Sequence, residues 1–113
     1  MITSACQTNN EQKMSILIVD DQRNVSQRVA TAVREKGHHA NIADSVEKTW
    51  VYLGMYQPAA VFLNSLSEGF DSLDLLNAVK EKLPDIPAIV YAIQSADGID
   101  RLKDSIEEVL GQK

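Results

Sequence analysis

At 113 residues, 44% hydrophobic and 24% charged, the chain has the size and balance of one soluble globular domain with room for its own core. A net charge of −5, with no cluster of Lys and Arg, excludes a surface built for nucleic acid or for an anionic membrane. The single cysteine, Cys6, excludes an internal disulfide, and no apolar run reaches the roughly 20 residues of a membrane span.

The opening "MITSACQTNNEQKM" has neither a basic start nor an apolar stretch, so it does not read as a signal peptide. It reads as a flexible lead-in over residues 1–14, with Cys6 an exposed bystander, and a cytoplasmic protein is expected. Residues 15–113 read as one domain, without repeats, low-complexity segments or a linker.

Ser15 to Val19 ("SILIV") is a short, continuous apolar run, the pattern of a strand buried on both faces. Asp20 and Asp21 end it. Asn24 to Lys36 is a predicted helix with Val25, Val29, Ala32 and Val33 on one face, and Gly37 stops it. His39 to Ala43 is a shorter and more polar strand, suited to a sheet edge. Ser45 caps the next helix, which is expected to carry Val46, Trp50 and Leu53 inward and to end near Gly54.

Pro58 precedes a third strand, Ala59 to Leu63, which delivers Asn64 to its tip. A loop containing Gly69 leads to a helix over Ser72 to Lys82, where Leu73, Leu76, Val79, Lys80 and Leu83 show the 3–4 spacing, with Lys80 the polar exception. Pro84 and Pro87 bracket the link to a fourth strand, Ala88 to Ile93. The final helix, Ile99 to Leu110, carries Leu102, Ile106, Val109 and Leu110 on one side. Strands alternating with helices of this length predict an α/β fold: a parallel sheet with right-handed crossovers and helices on both faces.

In such sheets function gathers at the carboxyl ends of the strands. Those ends carry Asp20 and Asp21, then Asn64, then Ala92. A lone Asp there reads as a helix cap. Two adjacent carboxylates repel each other and need a hard cation, solvent or helix N-termini to offset their charge, which favours a site.

The stretches "SILIVDDQ", "GHHANIADSVEKTWVYLGMYQPAAVFLN" and "SEGFDSLDLL", within about Ser15 to Ile93, resemble the receiver domains of bacterial response regulators. The resemblance implies a flavodoxin-like (CheY-like), doubly wound parallel sheet, here shortened to about four βα units in the order 2-1-3-4. In that family an Asp ending the third strand accepts a phosphoryl group from a histidine kinase. The acid pair, that Asp and a backbone carbonyl hold Mg²⁺. A Ser or Thr ending the fourth strand and a Lys ending the fifth grip the phosphoryl oxygens. By resemblance the Mg²⁺ pair falls on Asp20 and Asp21, the carbonyl on Leu66, the acceptor on Asn64 and the hydroxyl residue on Ala92.

The departures are chemical. A neutral carboxamide at Asn64 is a poor nucleophile, and it subtracts one charge from the Mg²⁺ set. Ala92 has no hydroxyl, and the reading leaves no fifth strand or its lysine. Three losses together imply a pseudo-receiver. It is not an enzyme and needs no cofactor, and any Mg²⁺ binding is weak. It acts by contact with a signalling partner such as a histidine kinase or an output protein.

The tail "IDRLKDSIEEVLGQK" looks like the family's last helix. "AIVYAI" then lies at a sheet edge, and Ala88, Ile89, Val90, Tyr91 and Ile93 are expected to be covered by a second copy of the chain.

Two other readings follow from the same residues. A phosphoryl group is accepted at Ser65 or Asp71, or the vacated pocket around Asp20, Asp21 and Asn64 takes a cationic or amide-bearing metabolite. His38 and His39 point to opposite faces of an edge strand and read as structural rather than metal-binding. Trp50 and Tyr91 read as core, and Tyr52 and Tyr56 as half-exposed.

Overall fold

The computed structural model describes residues 14–93 and 96–110. The elements, in chain order, are β1 (Ser15–Val19), α1 (Arg23–Glu35), β2 (His39–Ala43), α2 (Val46–Met55), β3 (Ala60–Asn64), α3 (Ser72–Lys82), β4 (Ala88–Tyr91) and α4 (Ala96–Leu110). The four strands form one sheet in the order β2-β1-β3-β4, and every pairing is parallel. The α/β reading and its strand order are therefore observed.

The central strands are apolar throughout because both their faces are covered. Ile16 to Val19 on β1 and Ala60 to Leu63 on β3 are fully buried. Alternation splits them into two cores. Ile16, Ile18, Ala60, Phe62 and Tyr91 pack with Val29 and Val33 of α1 and Leu102 and Ile106 of α4. Leu17, Val19, Val61 and Leu63 pack with Leu75 and Val79 of α3, and Trp50 and Leu53 of α2 close that side. The last helix thus lies beside α1, joined to it at the surface by a 2.8 Å ion pair between Lys103 and Glu35. Among the expected stripe of α4, Leu102 and Ile106 are buried; the side chains of Val109 and Leu110 lie outside the described residues.

Local signals set the helix ends. Gly37 has φ +89°, a backbone conformation that favours glycine, and it closes α1. Ser45 accepts from the Lys48 amide at 3.1 Å, and Asp71 accepts from the Leu73 and Asp74 amides. Two expected helix faces need correction. In α2 Val46 is exposed and Thr49 is the buried residue. In α3 and at its C-cap, Leu76, Val79 and Leu83 pack on the core as expected and Lys80, the polar exception, faces solvent, but Leu73 is 60% exposed and Leu75 is buried instead. Capping by Asp71 sets the start of α3, and from that start it is Leu75, not Leu73, that meets β3. The fourth strand ends at Tyr91 rather than Ile93, and the final helix begins at Ala96.

His38 sits in the α1–β2 turn, where its Nδ1 accepts from the Met14 amide at 3.3 Å. Burial, and then the neighbouring His39, hold its pKa below the usual 6.5. A depressed imidazole pKa means that the unfolded chain binds the proton more readily. Stability is then full above the unfolded value and falls as pH drops through 6.5 toward the folded value. The melting temperature of His38→Gln is expected to fall less over that range than the wild type's, a small difference measurable by thermal melts across pH.

Candidate functional site

The carboxyl ends of β1, β3 and β4 bring four side chains together: Asp20, Gln22, Asn64 and Tyr91. The register makes this unavoidable. Val19 lies beside Leu63, and Asn64 lies beside Tyr91, so the residues just past β1 and at the tips of β3 and β4 meet at one end of the sheet.

Asp20 is buried at 1% exposure. Its Oδ1 accepts from the Gln22 backbone amide at 2.7 Å and from Asn64 Nδ2 at 3.0 Å. Its Oδ2 accepts from the Tyr91 hydroxyl at 2.6 Å. Three donors around a buried carboxylate supply the compensation that such a charge requires. Burial, then the hydrogen bond to Asp20 and its charge, push the Tyr91 phenol well above its ordinary pKa. Tyr91 is therefore a protonated donor throughout the ordinary pH range.

Asn64 is fully buried and fully engaged. Its Nδ2 donates to Asp20 and, at 3.2 Å, to Gln22 Oε1. Its Oδ1 accepts from the Leu66 amide at 2.8 Å. The Gln22 side chain then donates through Nε2 to the Leu66 carbonyl at 2.9 Å. On the backbone side, Ser72 Oγ donates to the Asn64 carbonyl at 2.5 Å, tying the tip of β3 to the first turn of α3.

Asp21 points elsewhere. Its oxygens accept from the Glu68 amide at 3.1 and 3.3 Å and from the Gly69 amide at 2.6 Å, holding the β3–α3 loop. A β-carbon at position 69 would meet Asp21 Oδ2 at 2.9 Å, so a larger residue there would push the Asp21 carboxylate aside. The expected acid pair is thus divided: Asp20 faces the core network and Asp21 the loop. Ala92 is exposed and Leu66 contributes its carbonyl, but to Gln22. A cleft of about 450 Å³ beside the pair is lined by Asp20, Asp21, Arg23, Ser26 and Asp44, and Asn64 is not in its wall.

The donor set does not fit a resident divalent cation. Hard cations need several oxygen ligands in free approach. Here amide and hydroxyl hydrogens already face the oxygens of Asp20 and the Leu66 carbonyl, and Asp21 is turned away. Among the described residues no group of three or more His, Cys, Asp or Glu is placed to hold a metal.

Two participants are absent from the residues expected at the site. Gln22 follows the acid pair directly, yet its role depends on Leu66, 44 residues away. Tyr91 reads as core by its apolar neighbours, and only its pairing beside Asn64 shows where its hydroxyl ends. His38, His39, Trp50 and Tyr52 lie away from this end. Lys82 Nζ sits 5.5 Å over the Trp50 ring, and Tyr52 packs against Tyr56 at 5.0 Å.

Comparison with solved structures adds a family resemblance in shape. The receiver domain of the Francisella response regulator 1452 superposes with a TM-score of 0.73 at 15% identity, covering 88% of this chain and 98% of that one. The chain has the receiver fold. Crystalline NtrX from Brucella abortus, in complex with ADP, gives a TM-score of 0.76 at 23% identity, over 88% of this chain and 26% of NtrX. In sequence, the nitrogen assimilation regulatory protein NtrX of Azorhizobium caulinodans is 30% identical over 79 residues, 68% of this chain. The chain spans only 17% of the length of that relative. No family model matches.

Proposed function

We propose that this receiver-fold chain is a module of two-component signal transduction that works by protein contact and takes no phosphoryl group at Asn64. One observation carries this reading: the Asn64 carboxamide is buried, neutral and hydrogen-bonded through both its oxygen and its nitrogen. An acceptor must offer a charged oxygen to phosphorus, and this oxygen is neutral and held by the Leu66 amide. The 30% identity to a nitrogen regulatory protein supports the signalling setting.

Its partner is then a histidine kinase or an output protein in the cytoplasm, and the chain itself is not an enzyme. Among the described residues no helix is long and apolar enough to cross a membrane.

Acetyl phosphate with Mg²⁺, followed by intact-mass measurement, tests the reading. An unchanged mass is expected, and a stoichiometric phosphoryl adduct refutes it. Acceptance at Asp71 has little support, because that carboxylate caps α3 through two backbone amides. Ser65 is exposed and shares a surface cleft with Asp71, whose carboxylate is already committed to capping α3. A metabolite in the vacated pocket is disfavoured by the filled network around Asn64.

The fourth strand supports a homodimer. Pro87 and Tyr91 carbonyls accept from β3, so by alternation the backbone groups of Ala88 and Val90 face the open edge. Ile89 also packs partly into the core, and the Tyr91 and Ile93 side chains are buried, so a second copy would pair with backbone rather than cover those rings and methyls. Sedimentation at high micromolar concentration is expected to show a dimer; a monomer there removes the idea.

A further inference from the structure

Resting on the receiver-like reading of this site, we propose that Gln22 and Tyr91, together with Asn64, form a built-in substitute for a divalent cation, so that the site is set in one arrangement without metal and does not respond to it. The oxygens that a cation needs are already taken. Asp20 Oδ1 faces two N–H donors and Oδ2 one O–H donor. The Leu66 carbonyl faces the Gln22 amide nitrogen at 2.9 Å. Between Asp20 and Leu66 runs a closed chain of two amides, with Asn64 donating to Asp20 and to Gln22, and Gln22 donating to Leu66. The positive ends of these dipoles point toward the oxygens that would hold a metal.

An incoming ion must displace these donors. Asn64 and Tyr91 are buried at 0% and 7% exposure, so their displaced N–H and O–H groups would be left without partners in the core. Asp21 would also have to release the Glu68 and Gly69 amides. The network does what a cation does elsewhere: it offsets the buried charge of Asp20 and ties together β1, β3, β4, the start of α1 and the β3–α3 loop. Gln22 and Tyr91 are positioning residues in this scheme, acting on Asp20, Asn64 and Leu66.

Mn²⁺ is the probe, titrated into the full chain without a phosphoryl donor and followed by electron paramagnetic resonance. The wild type is expected to show no saturable one-to-one binding. The double variant Gln22→Ala/Tyr91→Phe frees the Leu66 carbonyl and Asp20 Oδ2, and is expected to show saturable one-to-one Mn²⁺ binding where the wild type shows none. Adding Asp20→Asn must abolish that gain.

Saturable binding by the wild type overturns the inference and leaves the phosphorylation-independent reading standing. A folded double variant that binds no better than wild type overturns the assignment to Gln22 and Tyr91. If circular dichroism shows the double variant unfolded, Gln22→Ala alone must show a smaller gain, and no gain overturns the assignment equally. A phosphoryl adduct from acetyl phosphate would instead overturn the functional reading, whatever Mn²⁺ does.

Discussion

Asn64→Asp is expected to destabilise the chain by about 3–5 kcal/mol in metal-free buffer, rather than restore an acceptor. The new carboxyl replaces an amide nitrogen that lies 3.0 Å from Asp20 Oδ1 and 3.2 Å from Gln22 Oε1. Two donated hydrogen bonds become two repulsive contacts at a fully buried position. The introduced group relieves this by holding a proton, because burial and the nearby Asp20 raise its pKa. A raised folded pKa means stability present at low pH and lost as pH rises through it, so the deficit relative to wild type should widen toward alkaline pH. Urea denaturation of both proteins across pH measures it. Equal stabilities at neutral pH would mean that the amide is not integrated as the hydrogen bonds indicate.

Ile106→Ala is the second large effect, at about 2–5 kcal/mol, the range for truncating a large aliphatic side chain in a core. Ile106 on α4 is fully buried against the Ile16, Ile18, Phe62 and Val33 core. For a domain of this size each kcal/mol lowers the melting point by roughly 4–8 °C. Leu73→Ala is the contrast, because Leu73 on α3 is 60% exposed and its truncation should change stability by only about 0.5 kcal/mol or less. Thermal melts of the two variants decide whether α4 is an integral part of the domain. If Ile106→Ala melts with the wild type, α4 does not pack on the sheet.

The proposed insensitivity to phosphoryl donors and the proposed insensitivity to cations draw on the same residues from different sides. The first depends on Asn64 being a neutral amide, a matter of residue identity. The second depends on where Asn64 Nδ2, Gln22 Nε2 and the Tyr91 hydroxyl point, a matter of geometry. Asn64→Asp therefore touches both: it changes the residue type on which the first depends and removes the Nδ2 donor from the second, leaving only the Gln22 and Tyr91 donors in place. Under both proposals the site is hydrogen-bonded shut and does not use ligand binding at its centre to move its surface, so recognition is proposed to rest on surface shape that is already present.

How far the chain could be read in advance depends on the range of the interactions. "SILIV" and "AAVFLN" are continuous apolar runs, and burial on both faces follows from that pattern alone. Gly37 and Ser45 act on backbone groups within a few residues, so the stop and the cap were legible. The α3 face was legible in part: Leu76, Val79 and Leu83 pack on the core as their spacing indicates, but Leu73 and Leu75 compete for the same stripe. The choice fell to Asp71, whose cap fixed the phase of the helix, and to the sheet it lies on. For α2, Val46 reads as inward by spacing, yet the helix turns Thr49 to the sheet and leaves Val46 to solvent.

The sequence by itself determined the α/β alternation, the placing of Asp20, Asp21 and Asn64 at strand ends, and a carboxamide rather than a carboxylate at the tip of the third strand, because residue type and local periodicity decide each of these. Only the tertiary structure decided that Asp20 and Asp21 part company and that Gln22 and Tyr91 close the site. Asp20 and Tyr91 are 71 residues apart, and Gln22 and Asn64 are 42 apart. Strand order and register bring them within hydrogen-bonding reach, and a buried carboxylate then takes whatever donors the packing supplies, which no local pattern encodes.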